Sequence, residues 1–175
     1  AIFRQIFHTG QYQALQNLYG EENRIWASYK DIPTNLVYAT VAIEDKRFFQ
    51  HSGVDWLRSM KASANLFLGG SSTYGASTVT QQLVKNLTND NEVTVRRKLV
   101  EIFRALEMEK QYSKEDIMEW YLNTIYLGEQ SYGVRTAAYT YFGKDVSELD
   151  LAECASLIAI TNNPSIFDPY ISEKT

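Results

Sequence analysis

Between Pro33 and Pro164 the chain contains no proline. Proline removes an amide donor and clashes with the preceding helical turn, so a block this long without one is where helices are expected. Pro33 itself suits the first turn of a helix, which is expected to run to about Gln50. A second helix is expected from Asp55 to Leu68. Gly69 to Gly75 (GGSSTYG), rich in glycine and hydroxyls, reads as a mobile loop. Ser77 or a neighbour then caps a helix to about Leu87, with Val79, Leu83 and Leu87 on one face. After the polar break Thr88-Asn89-Asp90-Asn91, an amphipathic helix is expected from about Thr94 to Gln111, its apolar stripe made of Leu99, Ile102, Phe103 and Leu106. Ser113 with Asp116 reads as a capping box for a helix to about Tyr126, and Ser147 with Asp150 as the same signal for a helix to about Ile160. Period-two alternation, the mark of strands, is almost absent. The expected fold class is mainly α, with residues 1–30 an irregular lead-in to a domain over 31–175.

At 175 residues, 45% of them hydrophobic and 22% charged, the chain suffices for one domain with its own core, and disorder is excluded. A net charge of −4 speaks against a nucleic-acid partner, so any anionic ligand has to be met by a local cluster of Lys and Arg. The single cysteine, Cys154, leaves no internal disulfide and no Cys-based zinc site; within the apolar stretch 151–160 it reads as a small buried hydrophobe. Two histidines, His8 and His51, are too few for a His-rich metal centre. No apolar run is long enough to span a bilayer and no signal peptide opens the chain; if the parent protein is membrane-bound, its anchor is expected to lie outside this chain.

Four features carry chemistry. On a helical wheel Glu44 falls among Leu36, Val37, Thr40, Val41 and Phe48; burial there would raise its pKa and suit a general base, while a solvated glutamate beside Asp45, Lys46 and Arg47 is the alternative. Glu101 lies opposite the Leu99–Leu106 stripe beside Arg97 and Arg104, the pattern of a solvent-facing helix stitched by ion pairs. Thr78, Gln81, Gln82 and Lys85 fall in one arc that could hold a sugar phosphate or be an outer polar face. Arg96-Arg97-Lys98 is the densest positive charge, fit to neutralise a pyrophosphate or to be solvated.

In order along the chain these pieces resemble the family 51 glycosyltransferases, found in class A penicillin-binding proteins and monofunctional peptidoglycan glycosyltransferases. The motifs are EDKRFFQHSGVD (Glu44–Asp55), GASTVTQQLVKN (Gly75–Asn86), RKLVE (Arg97–Glu101), KEDIMEWYLNTIYLG (Lys114–Gly128), YGVRTAAYTYFGK (Tyr132–Lys144) and NNPSIFDPY (Asn162–Tyr170). The resemblance implies a lysozyme-like helical head with a small mobile membrane-facing subdomain over about 55–75, including Leu66, Phe67 and Leu68. It implies that Glu44 is the general base and Glu101 a second catalytic carboxylate. It implies that Asp45, Phe48, His51 and Gly53, then Ser77, Thr78, Gln81, Gln82, Lys85 and Asn86, then Arg97 and Lys98, bind substrate. The implied reaction polymerises lipid II into glycan strands with loss of undecaprenyl pyrophosphate, assisted by a divalent metal (Mg or Mn) near Glu101 and by no organic cofactor.

The implied partners are lipid II, the growing lipid-linked strand, a membrane surface, moenomycin-type phosphoglycolipid inhibitors and a C-terminal transpeptidase domain in the parent protein. The implied location is the extracytoplasmic face of a bacterial cell membrane. One departure stands out: Val93 occupies a position where the family commonly has a phosphate-contacting arginine. Two other readings compete, a lysozyme-like lytic glycan hydrolase and a catalytically silent scaffold domain. The hydrolase leaves Lys85, Arg97 and Lys98 without a task, and the scaffold does not need both glutamates.

Overall fold

A computed structural model describes residues 24–67, 75, 77–88, 92, 94–162 and 164–172. The expected lead-in up to residue 23, the glycine-rich loop over 69–74, the break over 89–91, Leu68 and Val93 lie outside the described residues. Those that are described are mainly helical, with no strand beyond one isolated antiparallel bridge between Tyr126 and Tyr132. No helix among them is long and apolar enough to cross a membrane. They fall into two compact units, one drawn from Ala1–Leu36 and Leu122–Thr175, the other Val37–Tyr121.

The Val37–Tyr121 unit takes in most of α1 (Thr34–Glu44), then α2 (Trp56–Phe67), α3 (Val79–Thr88), α4 (Val95–Gln111) and most of α5 (Lys114–Thr124). α3 packs along α4 and buries Val79, Leu83 and Leu87, the face its spacing predicts. Each such side chain contributes roughly 1.5–3 kcal/mol by leaving water. Thr78 and Gln81 cap α3 reciprocally: the Thr78 amide donates to Gln81 Oε1 at 3.0 Å and the Gln81 amide to Thr78 Oγ1 at 3.2 Å. Thr94 caps α4 by accepting from the Arg97 amide at 3.1 Å. Ser113 and Asp116 exchange the same pair of bonds at the start of α5, as their spacing predicts.

The other unit holds α6 (Val134–Phe142), a 3-10 turn (Val146–Glu148), α7 (Leu151–Asn162), α8 (Pro164–Phe167) and α9 (Pro169–Ser172). Asn123 ties the irregular segment after residue 24 into it, accepting from the Ala27 amide and donating to the Ala27 carbonyl, both at 2.8 Å. Arg135 donates to Asp145 and to the Trp26 carbonyl. Its hydrogen bond is the main reason that the Asp145 carboxyl is held well below the usual range. Cys154 is buried, as its apolar surroundings predict, and burial pushes its thiol pKa up.

Four expectations are corrected. The first helix stops at Glu44 instead of running to Gln50, and residues 46–50 form turns. Partners from other segments outcompete further helix there: Arg58 takes the Glu44 carbonyl and Arg47 is drawn to Asp55. The cap of α7 is not Ser147 with Asp150 but Asp150 with Glu153, while Ser147 serves the Asp145–Glu148 box one turn earlier. α6 was not expected; it is bounded by Gly133 and Gly143, the latter at φ 68°, a conformation that closes helices.

The fourth correction concerns α4, which is turned over. Its covered face is Glu101, Ala105 and Met108, while Leu99 is 51% exposed and Phe103 69%. A carboxylate can take the covered side because two cations accompany it.

Candidate active site

Glu44 is the last residue of α1 and is half-buried, on the helix face of the buried Leu36, Val37 and Thr40; Phe48, placed on that face by the wheel, lies in the turns beyond the helix end. One Glu44 oxygen accepts a hydrogen bond from Gln82 Nε2 at 2.8 Å. The other end of that amide, Gln82 Oε1, lies 3.3 Å from the Tyr121 hydroxyl, a long contact. Burial, and after it the charges of Glu44 and Asp45, push the Tyr121 pKa well up, so this phenol stays protonated and acts as donor. A donor on Oε1 orients the amide so that its NH₂ faces the carboxylate.

The residue after Glu44 does a different job. Asp45 is wholly buried and its Oδ2 accepts from His51 Nε2 at 2.9 Å and from the Val79 amide, the first residue of α3, at 3.1 Å. It clamps the α3 N-terminus to the end of α1, where a negative charge also meets the positive end of the helix dipole. Phe48 is fully buried, with the Lys114 ammonium 4.3 Å from its ring centroid. Gly53, at φ 90°, brings the following turn against α4 so closely that a Cβ would stand 2.5 Å from the Ala105 carbonyl oxygen. Its own carbonyl accepts from Thr78 Oγ1 at 2.7 Å.

A second cluster lies between α3 and α4. Lys85, Arg97 and Glu101 line one small cleft together with Thr88, Val100 and Arg104. Glu101, only 5% exposed, accepts from Arg97 at 2.7 Å through one oxygen and from Lys98 through the other. Lys98 also donates to Ser77 Oγ at 2.8 Å. Lys85 is exposed and Asn86 half-buried, both on the last turns of α3.

The expected site residues therefore separate into two groups. Glu44, Gln82, Lys85, Asn86, Arg97, Lys98 and Ser77 are at least partly accessible. Asp45, Phe48, Gly53, Thr78 and Gln81, expected to contact substrate, are covered, and the His51 side chain is only 8% exposed; Thr78 and Gln81 are bonded within the frame, whereas Asp45 Oδ1 and His51 Nδ1 are buried with no hydrogen-bond partner among the described residues. The polar arc read on α3 is halved for the same reason: Thr78 and Gln81 are spent on the cap. Sequence reasoning missed Tyr121 and Arg58. Tyr121 sits inside the KEDIMEWYLNTIYLG motif, and Arg58 follows Asp55 by three residues, which is where the Asp55 side chain caps α2 by accepting from the Arg58 amide at 2.8 Å.

The residues near Glu101 do not suit a resident divalent metal. Both of its oxygens are engaged by cations, and no group of three or more metal-ligating side chains occurs among the described residues.

A carboxylate held by an amide, beside a helix whose next turn leads to a cationic cleft, is an arrangement for moving a proton and stabilising an anion. Residues 11–175 match the transglycosylase family. The chain belongs to the transglycosylase family. Of its relatives in that family, penicillin-binding protein 1A of Clostridium perfringens (strain 13) is 44% identical over 167 residues, 93% of this chain and 25% of that protein. The Escherichia coli K12 penicillin-binding protein 1A is 43% identical over 154 residues, 88% of this chain and 18% of that protein. That of Streptococcus oralis is 40% identical over 154 residues, 86% of this chain and 24% of that protein. This transglycosylase chain thus spans a quarter or less of the length of these relatives.

Proposed function

We propose that the chain is a peptidoglycan glycosyltransferase that polymerises lipid II with Glu44 as general base. The supporting observation is the Gln82–Glu44 hydrogen bond, made from the helix that also carries Lys85 into the cleft of Arg97 and Glu101. In this reading Glu44 takes the proton of the acceptor's 4-hydroxyl as that oxygen forms a bond to the donor's anomeric carbon. The bond from that carbon to the diphosphate oxygen breaks, and the pair of electrons leaves on undecaprenyl diphosphate with inversion. Lys85, with Arg97 and Lys98, offsets the departing charge, and Glu101 keeps the last two in place. No step is assigned to a metal.

The exposed Trp56, Leu57 and Met60 of α2 support a membrane-facing role for that part of the chain. The extracytoplasmic membrane face, an anchor and a transpeptidase domain in the parent protein belong to the same proposal, as does the binding of moenomycin-type inhibitors.

Glu44→Gln is expected to keep the fold, read by circular dichroism, and to lose at least a hundredfold in polymerisation of labelled lipid II. Polymerisation at the wild-type rate would remove Glu44 from its role. Lys85→Ala is expected to weaken both turnover and moenomycin binding about tenfold or more; an unchanged inhibitor affinity would contradict its placement. A neutral-glycan hydrolase would leave the cations of this cleft without a task, and a soluble-glycan cleavage assay is expected to be blank.

A further inference from the structure

On the reading of Glu44 as the base, and resting on it, we infer that Arg58 is a positioning residue for the transfer. It bridges the end of α1 to the backbone that enters α3. Arg58 stands in the first turn of α2, where the Asp55 side chain caps the helix by accepting from the Arg58 amide at 2.8 Å. A cation there faces the positive end of the helix dipole, so nothing local to α2 favours an arginine at this place. Nor is its charge claimed by the nearest carboxylate in the chain, because Asp55 takes the guanidinium of Arg47.

The Arg58 side chain is spent on backbone. Nη1 donates to the Glu44 carbonyl and Nη2 to the Gly75 carbonyl. The Glu44 carbonyl is the last of α1, one of the acceptors that a helix end leaves over, and a cation at that end is favourable. Its peptide joins Glu44 to Asp45 and so sets where the Glu44 side chain leaves the backbone. Gly75 lies just ahead of Thr78, which caps α3 with Gln81, and Gln82 follows in the first turn of that helix.

Two ties therefore span the same pair of segments as the Gln82–Glu44 hydrogen bond: Asp45 on the Val79 amide at 3.1 Å, and Arg58 on the two carbonyls. A planar guanidinium can hold two acceptors in fixed directions at once, whereas an ammonium is a point donor on a flexible stem. Without the fork, Asp45 alone keeps the Glu44 carboxylate in register with the amide. Arg58 thus acts on the carboxylate without touching it, through the backbone on either side.

A double-mutant cycle between Arg58 and Gln82 tests this in the labelled lipid II assay, with kcat and KM taken per folded molecule and the folded fraction read by circular dichroism. Arg58→Ala is expected to lower kcat about 10- to 100-fold, the scale of a small misplacement, and to leave KM within about threefold. In the Gln82→Leu background, where no amide is left to register, the same substitution should cost about twofold or less. Arg58→Lys is expected to recover only part of the loss, and its own cycle with Gln82→Leu decides the matter if the alanine variant does not fold. Glu44→Gln is assayed beside them: wild-type turnover there would remove the base and not the bridge, which is read from the coupling of Arg58 to Gln82. Losses that simply multiply through the cycle would overturn the bridge. So would a wild-type kcat for Arg58→Ala or Arg58→Lys, and so would a rise confined to KM, which would make Arg58 a cation for the substrate.

Discussion

The Gln82 amide holds one oxygen of Glu44, and the buried Tyr121 hydroxyl lies behind that amide. Gln82→Leu removes a hydrogen bond to a charged acceptor, an interaction worth about 1.5–3 kcal/mol, so the transfer rate is expected to fall roughly 10- to 100-fold in the lipid II assay. Tyr121→Phe removes the long contact to Gln82 Oε1, and a loss below tenfold is expected; a larger one would mean that the phenol does more than orient Gln82. Gly53 is constrained by space as well as by backbone. Gly53→Ala places a methyl group against the Ala105 carbonyl at a positive φ, and a loss of about 2 kcal/mol or more is expected in urea unfolding. These residues differ in kind: two act on the carboxylate, the third on the distance between a turn and α4.

At the scale of elements, α3 is the part on which both clusters are mounted. Leu83 is fully buried on its inner face, so Leu83→Ala should cost about 2–5 kcal/mol in thermal or urea unfolding. Asp150→Ala, which removes only the α7 cap, should cost about 1 kcal/mol. The inner face of α3 was legible in the sequence because Val79, Leu83 and Leu87 have one covered side to choose. α4 was not legible in the same way. It has apolar residues on two sides, and periodicity cannot say which side is covered when Arg97 and Lys98 make the burial of Glu101 tolerable. The motifs located the chemistry but not the division of labour within it: Thr78 and Gln81 look like ligands until their side chains are seen closing a cap. The end of α1 was hidden for a related reason, since Arg58 and Asp55, which stop it, lie outside any local window.

For the molecule as a whole, acid is the expected weakness. The hydrogen bond from Arg47 lowers the Asp55 carboxyl from 3.8 to about 2, so it holds its charge more readily folded than unfolded. Its contribution is fully present above about pH 4 and is lost as pH falls through about 2, on the order of 2 kcal/mol. Asp145, in the other unit, is displaced the same way by Arg135. Urea midpoints measured from pH 6 to pH 2 should therefore drop below pH 4, and Asp55→Asn should flatten part of that slope. A midpoint independent of pH across that interval would argue against both ion pairs.

Gln82 and Lys85 stand one turn apart on α3, and Asp45, the residue after Glu44, rivets the start of that helix to the end of α1. Whatever rotates or slides α3 moves Gln82, the partner of Glu44, and Lys85 together. In the proposed reaction, proton removal and departure would then be geared to a single shaft, and a change that slackens it is expected to disable both halves at once.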